Sequence, residues 1–180
     1  MKKVKVTNTN LLFKRKNTKA FKDKLNMVKV EDNEVFIVTT DTLIGLAGKV
    51  NPVVCQKIFE LKKRSLNKKL VIAIGSIDQL KKFENLQDFH YDYINKYWPG
   101  PTTLIINETA YRIPKQYGLL DLLIDQGPFY LTSANLSNCS TIKTIEEVKD
   151  VFPNLRIFDF GLGSNQPSII IDTNTGKRLR

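Results

Sequence analysis

Lys62, Arg64, Lys68 and Lys69 form a cationic cluster where an apolar-striped segment gives way to a loop. A triphosphate needs such a cluster, because charge accumulates on its oxygens as it reacts. Arginine offers a fork that holds two oxygens, whereas lysine acts as a point charge. A solvated basic helix end uses the same residue types to complement the macrodipole, and taken alone it is the better reading. Leu131-Thr132-Ser133-Ala134-Asn135-Leu136-Ser137-Asn138 follows a strand-like run, Pro128 to Leu131, and gathers hydroxyls and an amide among small side chains. Such a loop lets donors approach a polar ligand closely. On these residues alone an ordinary Ser/Asn turn is the better reading. Thr40, Asp41 and Thr42 after another strand hold a small polar molecule or cap a turn, the turn being favoured. Arg112 reads evenly as a carboxylate clamp or an exposed arginine.

Other chemistries find little support. Gly45-Leu46-Ala47-Gly48 lacks the length and the Gly-Lys-Ser/Thr ending of a Walker loop, and no dinucleotide fingerprint is present. Asp159-Phe160-Gly161 matches a kinase tripeptide without the companion motifs, so the match is chance. His90 is the single histidine and reads as a surface or partly packed helix residue, which leaves no basis for a Ser-His triad or a histidine metal site. Cys55 and Cys139 form no spaced pair, consistent with a reducing compartment.

The elements that must position these residues alternate. Glu34–Val38 reads as a buried strand delivering Thr39–Gly45 at its end. Asn51-Pro52 caps a helix whose apolar stripe is Val54, Ile58 and Leu61. Leu70–Ile74 is a strand, and Ser76 to Gln79 has capping-box spacing for a helix through about Phe83. A helix over Gln87–Tyr97 ends at Trp98-Pro99-Gly100-Pro101. Strands at Thr102–Ile106 and Tyr111–Ile113, a helix at Leu119–Ile124 and a strand at Phe129–Thr132 follow. Thr144 to Glu147 repeats the capping-box spacing, and late strands at Arg156–Phe160 and Ser168–Ile171 are joined by Gly161–Ser164. Upstream, Lys3–Val6 reads as a short edge strand and Asn17–Asn26 as an amphipathic helix. The class is α/β, one mixed twisted sheet with helices against it, and in such sheets ligands bind beyond strand ends.

A chain of 180 residues with 42% hydrophobic residues buries a real core as one domain. The formal net charge of +10 favours polyanions such as RNA or nucleotides, although lysine- and asparagine-rich usage produces the same balance. No apolar run approaches the roughly 18–20 residues of a membrane span, and the basic start lacks an apolar signal core. The expected location is cytoplasmic.

In chain order, several of these stretches resemble the YrdC/TsaC family. Thr40-Asp41-Thr42 with Gly45-Leu46 looks like its Pro-Thr-Asp-Thr-x-Tyr-Gly-Leu, and Lys62-x-Arg64 with Lys68 like its Lys-x-Arg-Pro-x-x-Lys. Trp98-Pro99-Gly100-Pro101 with Thr103, Arg112-Ile113-Pro114, Thr132-Ser133-Ala134-Asn135-Leu136-Ser137, and Ser168 with Asp172 match later family motifs. Arg180 falls at its last nucleotide-contacting arginine. The resemblance runs from about Glu34 to Arg180 and implies a YrdC-like open mixed sheet with a basic concave face. The expectation is one domain over 1–180 in the short, single-domain form, with 1–30 a part that the resemblance does not define.

The resemblance also implies chemistry: L-threonine, bicarbonate and ATP, with Mg²⁺, yield threonylcarbamoyl-AMP and pyrophosphate for tRNA threonylcarbamoyladenosine modification. Lys62, Arg64, Lys68, Asn135 and Arg180 would then hold ATP, with Lys62 and Arg64 catalytic. Thr40, Thr42, Arg112, Ser133 and Ser168 would surround threonine. No structural metal is expected, and the partners are a downstream tRNA threonylcarbamoyl-transfer machinery and RNA itself. N-carboxy-threonine carries its nucleophilic oxygen as an anion, so positioning and charge neutralisation suffice without a strong protein base. The chain departs from the family at Thr39 and Ser65, where proline is usual. Other departures are Ile44 for tyrosine, Lys69 for a small residue or proline, Asn138 for glycine and Ile169 for threonine. The connection Asn107–Tyr111 is also short. These departures sustain an alternative, a non-catalytic RNA-binding or ribosome-maturation module of the same fold. A carbamoyl-phosphate-linked carbamoyltransferase is disfavoured by the lack of Cys/His zinc motifs.

Overall fold

The computed structural model describes residues 29–65, 69–137 and 139–180. The elements expected at Lys3–Val6 and Asn17–Asn26 lie outside the described residues, as do Lys68 and Asn138. Strand β1 (Phe36–Val38) is the core of the apolar run after Glu34, and all its residues are buried, so both of its faces are covered. The chain turns through Thr39–Ile44 into β2 (Gly45–Lys49), antiparallel to β1 with Phe36 opposite Ala47. Sequence reading stops at Gly45 as a strand end, because Gly and Ala are poor strand formers. Close packing overrides that preference. A Cβ on Gly45 would sit 2.7 Å from Leu131 Cδ1, and one on Gly48 would sit 2.4 Å from the Glu34 carbonyl oxygen.

Helix α1 (Pro52–Leu61) starts as its residues demand: Asn51 Oδ1 accepts the Val54 N–H at 2.9 Å, and Pro52 occupies the first turn. After β3 (Val71–Ala73), the short α2 (Ile77–Leu80) is capped by Ser76, while Gln79 reaches back to the Gly75 N–H at 2.7 Å rather than closing a full capping box. Helix α3 (Asp88–Tyr97) corrects one expectation. His90 is 1% exposed, and its Nδ1 accepts the otherwise orphaned Gln87 N–H at 2.9 Å, so the imidazole works as an internal cap. The chain continues through β4 (Thr102–Ile106), β5 (Thr109–Arg112), α4 (Tyr117–Gln126), β6 (Phe129–Ser133), α5 (Ile145–Val151), β7 (Ile157–Phe158) and β8 (Ile169–Asp172).

Among the described residues the strands form one eight-stranded open sheet in the order β7-β1-β2-β6-β3-β5-β4-β8. It is mixed: β1–β7, β3–β5 and β4–β8 are parallel and the other pairs antiparallel. Alternate residues serve opposite faces. Ile37 and Leu46 pack with Val54 and Ile58 of α1 and Val148 of α5. Ile72 and Leu104 pack with Leu80 and Ile94 of α2 and α3. Phe36, Val38, Ala47, Ala73 and Phe129 face the other way, onto Leu119, Leu122 and Leu123 of α4. Helix α4 is too short to cover that second face completely. The uncovered remainder is where the polar motifs meet.

Candidate functional site

Strand register brings together residues that lie far apart in sequence. Gly45 is opposite Ser133, Leu131 opposite Val71, Ala73 opposite Arg112, and Thr103 opposite Ile170. Cross-strand partners share a face, and pleat alternation along β4 and β5 puts Thr103 with Arg112. These residues therefore floor a single cleft on the partly covered face, rather than lying only beyond strand ends. Its walls are the Thr40–Leu43 turn, Arg64 with Lys69, and Pro167-Ser168 with Arg180. The cavity is about 180 Å³. That is below the roughly 300–1,000 Å³ of a drug-sized ligand site, so the enclosed part suits a small molecule and a larger one would extend across its mouth.

One wall is tightly cross-bonded. Arg112, 4% exposed, donates from Nε to the Gly100 carbonyl at 3.1 Å, from Nη1 to Thr42 Oγ1 at 2.7 Å and from Nη2 to Asp41 Oδ1 at 2.6 Å. The Trp98–Pro101 turn thus serves the site by aiming a carbonyl at the guanidinium. Thr40 Oγ1 gives its proton to the Leu43 carbonyl at 2.7 Å, so in the 3.0 Å contact between the two hydroxyls Thr42 is the donor. The polar chain Arg112, Thr42, Thr40, Leu43 is therefore fixed in direction. Gly163 backs this turn so closely that a Cβ there would lie 2.3 Å from the Asp41 carbonyl carbon. Ser168, 7% exposed, meets Thr103 Oγ1 at 3.0 Å and receives Arg180 Nη2 at 3.2 Å on its hydroxyl and Arg180 Nε at 2.8 Å on its carbonyl.

The opposite wall is looser. Arg64 donates to the Lys69 carbonyl at 3.1 Å and reaches Thr132 Oγ1 at 3.4 Å, while its buried Nε has no partner among the described residues. Lys69 Nζ donates to the Glu108 carbonyl at 2.9 Å. Lys62 and Asn135 do not border the cavity. Lys62 is 2% exposed and its ammonium donates to the Ser133 and Asn135 carbonyls, behind the loop that Ser133 opens. Asn135 Nδ2 donates to the Leu136 and Cys139 carbonyls, and its buried Oδ1 has no described partner.

Among the described residues, Arg64, Lys69, Arg112 and Arg180 thus line the cleft, and no carboxylate does. Burial pushes the pKa of Arg64 and of Arg180 down. For Arg112 burial again acts first, Asp41 opposes it, and the Arg180 charge adds to the downward pull. Guanidinium groups held in these surroundings gain from a bound anion. Among the described residues no three His, Cys, Asp or Glu groups gather to hold a metal ion. None of the described helices is long and apolar enough to cross a membrane.

Thr40, Thr42, Arg64, Arg112, Ser133, Ser168 and Arg180 from the sequence reading converge on this cleft. Lys68 lies outside the described residues. Sequence reasoning placed Asp41 in the Thr40–Thr42 polar turn and Thr103 in a family motif, but gave neither a role toward ATP or threonine. Thr103 was detectable, because strand alternation puts it opposite in face to the apolar Leu104; Asp41 carried no signal of its partner across 71 positions. The departures also gain meaning. Ile44 packs in the α1 core, and Thr39 donates its N–H to the Phe158 carbonyl at 3.1 Å and accepts the Phe160 N–H on its hydroxyl at 2.7 Å.

Comparison with known proteins bears on the family and the fold. Residues 29–180 match the Sua5/YciO/YrdC family model, whose description is telomere recombination. The chain is 28% identical over 179 residues to a putative threonylcarbamoyl-AMP synthase of Methanocaldococcus jannaschii, covering 89% of this chain and 86% of that protein. It is 31% identical over 173 residues to an uncharacterized protein of Mycoplasma genitalium, covering 92% of this chain but only 35% of that longer one. A double-substitution variant of P. abyssi Sua5 superimposes with a TM-score of 0.73 at 21% identity, over 88% of this chain and 55% of Sua5. Sua5 complexed with L-threonine superimposes with a TM-score of 0.68 at 22% identity, over 78% and 47%. On the match across residues 29–180, the chain belongs to the Sua5/YciO/YrdC family.

Proposed function

We propose that the protein is a threonylcarbamoyl-AMP synthase, condensing L-threonine, bicarbonate and ATP into threonylcarbamoyl-AMP and pyrophosphate. The observation that carries the reading is a cleft lined, among the described residues, by four cations and no carboxylate, with hydroxyls on its buried wall. The M. jannaschii relative is named a putative synthase of this kind, and the Sua5 neighbour was solved with L-threonine. In this reading Arg112, Thr42, Thr40, Ser133 and Ser168 receive carboxy-threonine in the enclosed part. Arg64 and Arg180 neutralise the phosphates across the mouth, and Lys68 is a further ATP ligand on the strength of the sequence motif alone. A carbamate oxygen attacks the α-phosphorus, forming the new O–P bond as the bond to the bridging α–β oxygen breaks and pyrophosphate leaves. The nucleophile enters already anionic, so no residue need remove a proton, and the cations stabilise charge moving onto the leaving group. Mg²⁺ belongs to the substrate as MgATP, and no described acidic cluster would hold it alone. The product would serve tRNA threonylcarbamoyladenosine modification.

The test is pyrophosphate release from MgATP in bicarbonate buffer with L-threonine, with L-serine, and with neither. Threonine-dependent release together with an adenylate of the expected mass is the predicted outcome. Folded protein that binds RNA but shows no threonine-dependent release would overturn the synthase reading in favour of an RNA-binding module.

A further inference from the structure

Lys62 has a chemistry that the cleft does not use. It ends α1, its side chain is almost wholly buried, and its ammonium meets two backbone carbonyls, those of Ser133 and Asn135, the latter at 2.5 Å. Its own carbonyl accepts the Ser137 N–H at 2.9 Å. A single residue therefore grips the Ser133–Ser137 loop at three points, two through the side chain and one through the main chain. A fourth tie, Ala134 N–H to the Ile44 carbonyl at 2.8 Å, fastens the loop to the residue before β2. Hydrogen bonds from an ionised donor are about twice as strong as neutral ones. Carbonyl oxygens repel an anion, and here two of them are turned onto a buried ammonium behind the cleft wall.

We infer that Lys62 is a positioning residue that holds the Ser133–Ser137 loop in its binding shape, and is not a ligand of phosphate. Its catalytic consequence rests on the synthase reading; its structural core does not. Arg64, two residues on, borders the cleft and is the phosphate-facing partner of the pair.

The experiment compares wild type, Lys62→Met and Arg64→Ala by amide hydrogen exchange of the ligand-free proteins, followed by AMP and MgATP titrations. Lys62→Met should speed exchange of the Ala134 and Ser137 amides at least about tenfold, with α5 amides unchanged, whereas Arg64→Ala should leave the loop protected. Lys62→Met should weaken AMP and MgATP by the same factor, because a loosened loop does not count phosphates. Arg64→Ala should weaken MgATP more than AMP. Unchanged loop protection in Lys62→Met, with MgATP weakened at least about tenfold more than AMP, would make Lys62 a phosphate ligand and overturn the inference. Should Lys62→Met fail to fold, Lys62→Gln, which leaves a shorter neutral donor, decides instead: faster exchange of the Ala134 and Ser137 amides relative to α5 supports the clamp, and unchanged exchange overturns it. A protein without threonine-dependent turnover but with the expected exchange pattern would sink the synthase reading and leave the clamp standing.

Discussion

The two walls of the cleft are built on different principles. On the Arg112 wall the cation is bonded throughout: the guanidinium spends three donors on Gly100, Thr42 and Asp41, and the Thr42 and Thr40 hydroxyls pass that order on to Leu43. The second Asp41 oxygen, Oδ2, is buried without a described partner. On the Arg64 wall, cations lean on backbone carbonyls near the surface, and one buried donor lacks a described partner. The first wall is part of the folded core, fixed before any ligand arrives. The second has cationic capacity to spare, which on the proposed synthase reading the phosphates of ATP take up. Preorganisation suits a small substrate of fixed shape, and adjustable charge suits a flexible phosphate chain.

The sharpest way to break this contrast is to attack the rigid wall. Asp41→Ala leaves Arg112, with its side chain 5% exposed, without its carboxylate. The expected cost is about 3–5 kcal/mol in urea unfolding, because a buried charge loses its partner. A loss below about 1 kcal/mol would show that the wall is not self-supporting and would remove the contrast. Arg64→Ala should do the reverse. Its side chain packs near the Phe59 ring at 6.0 Å and makes two hydrogen bonds among the described residues, so stability should change by about 1 kcal/mol or less. Threonine-dependent pyrophosphate release should nonetheless fall at least about a hundredfold. Wild-type turnover in this variant would move the phosphate site elsewhere.

The sequence made some of this legible and hid the rest for definite reasons. Asn51-Pro52 and Thr144 announced their helices because caps are local chemistry, and the Thr144 hydroxyl indeed receives the Glu147 N–H at 3.2 Å. Strand β2 was invisible because its glycines are chosen by contacts with Leu131 and Glu34, remote in sequence. Motif order showed which residues belong to a site, but not how they share one. That answer lies in sheet register, where Ser133, Arg112 and Thr103 fall on one face through four successive strands. Lys62 was the hardest to place. As a lysine beside an arginine at a helix end it looks like its neighbour, and only its depth and its two carbonyl partners separate their roles.

That separation has a consequence in pH, smaller than either substitution. Burial, and then the nearby Arg64 charge, pull the Lys62 pKa from its ordinary 10.5 to about 8. Below about 8 both folded and unfolded chains hold the proton, and the cost of burying the ammonium is fully present. Between about 8 and 10.5 the unfolded chain binds a proton that the folded chain does not, so Lys62's contribution to stability improves as pH rises. The loop experiences the opposite, because a neutral amine keeps donors but loses the charge that strengthened both carbonyl bonds. Urea unfolding of wild type and Lys62→Met at pH 7 and pH 10 isolates this residue, since other titrating groups cancel in the difference. The wild type should gain on the variant at the higher pH while its Ser137 amide loses protection relative to α5. A wild type that gains nothing on the variant would mean that Lys62 carries its charge at little cost, as an arginine-like surface cation would, and the two residues of the motif would no longer differ in kind.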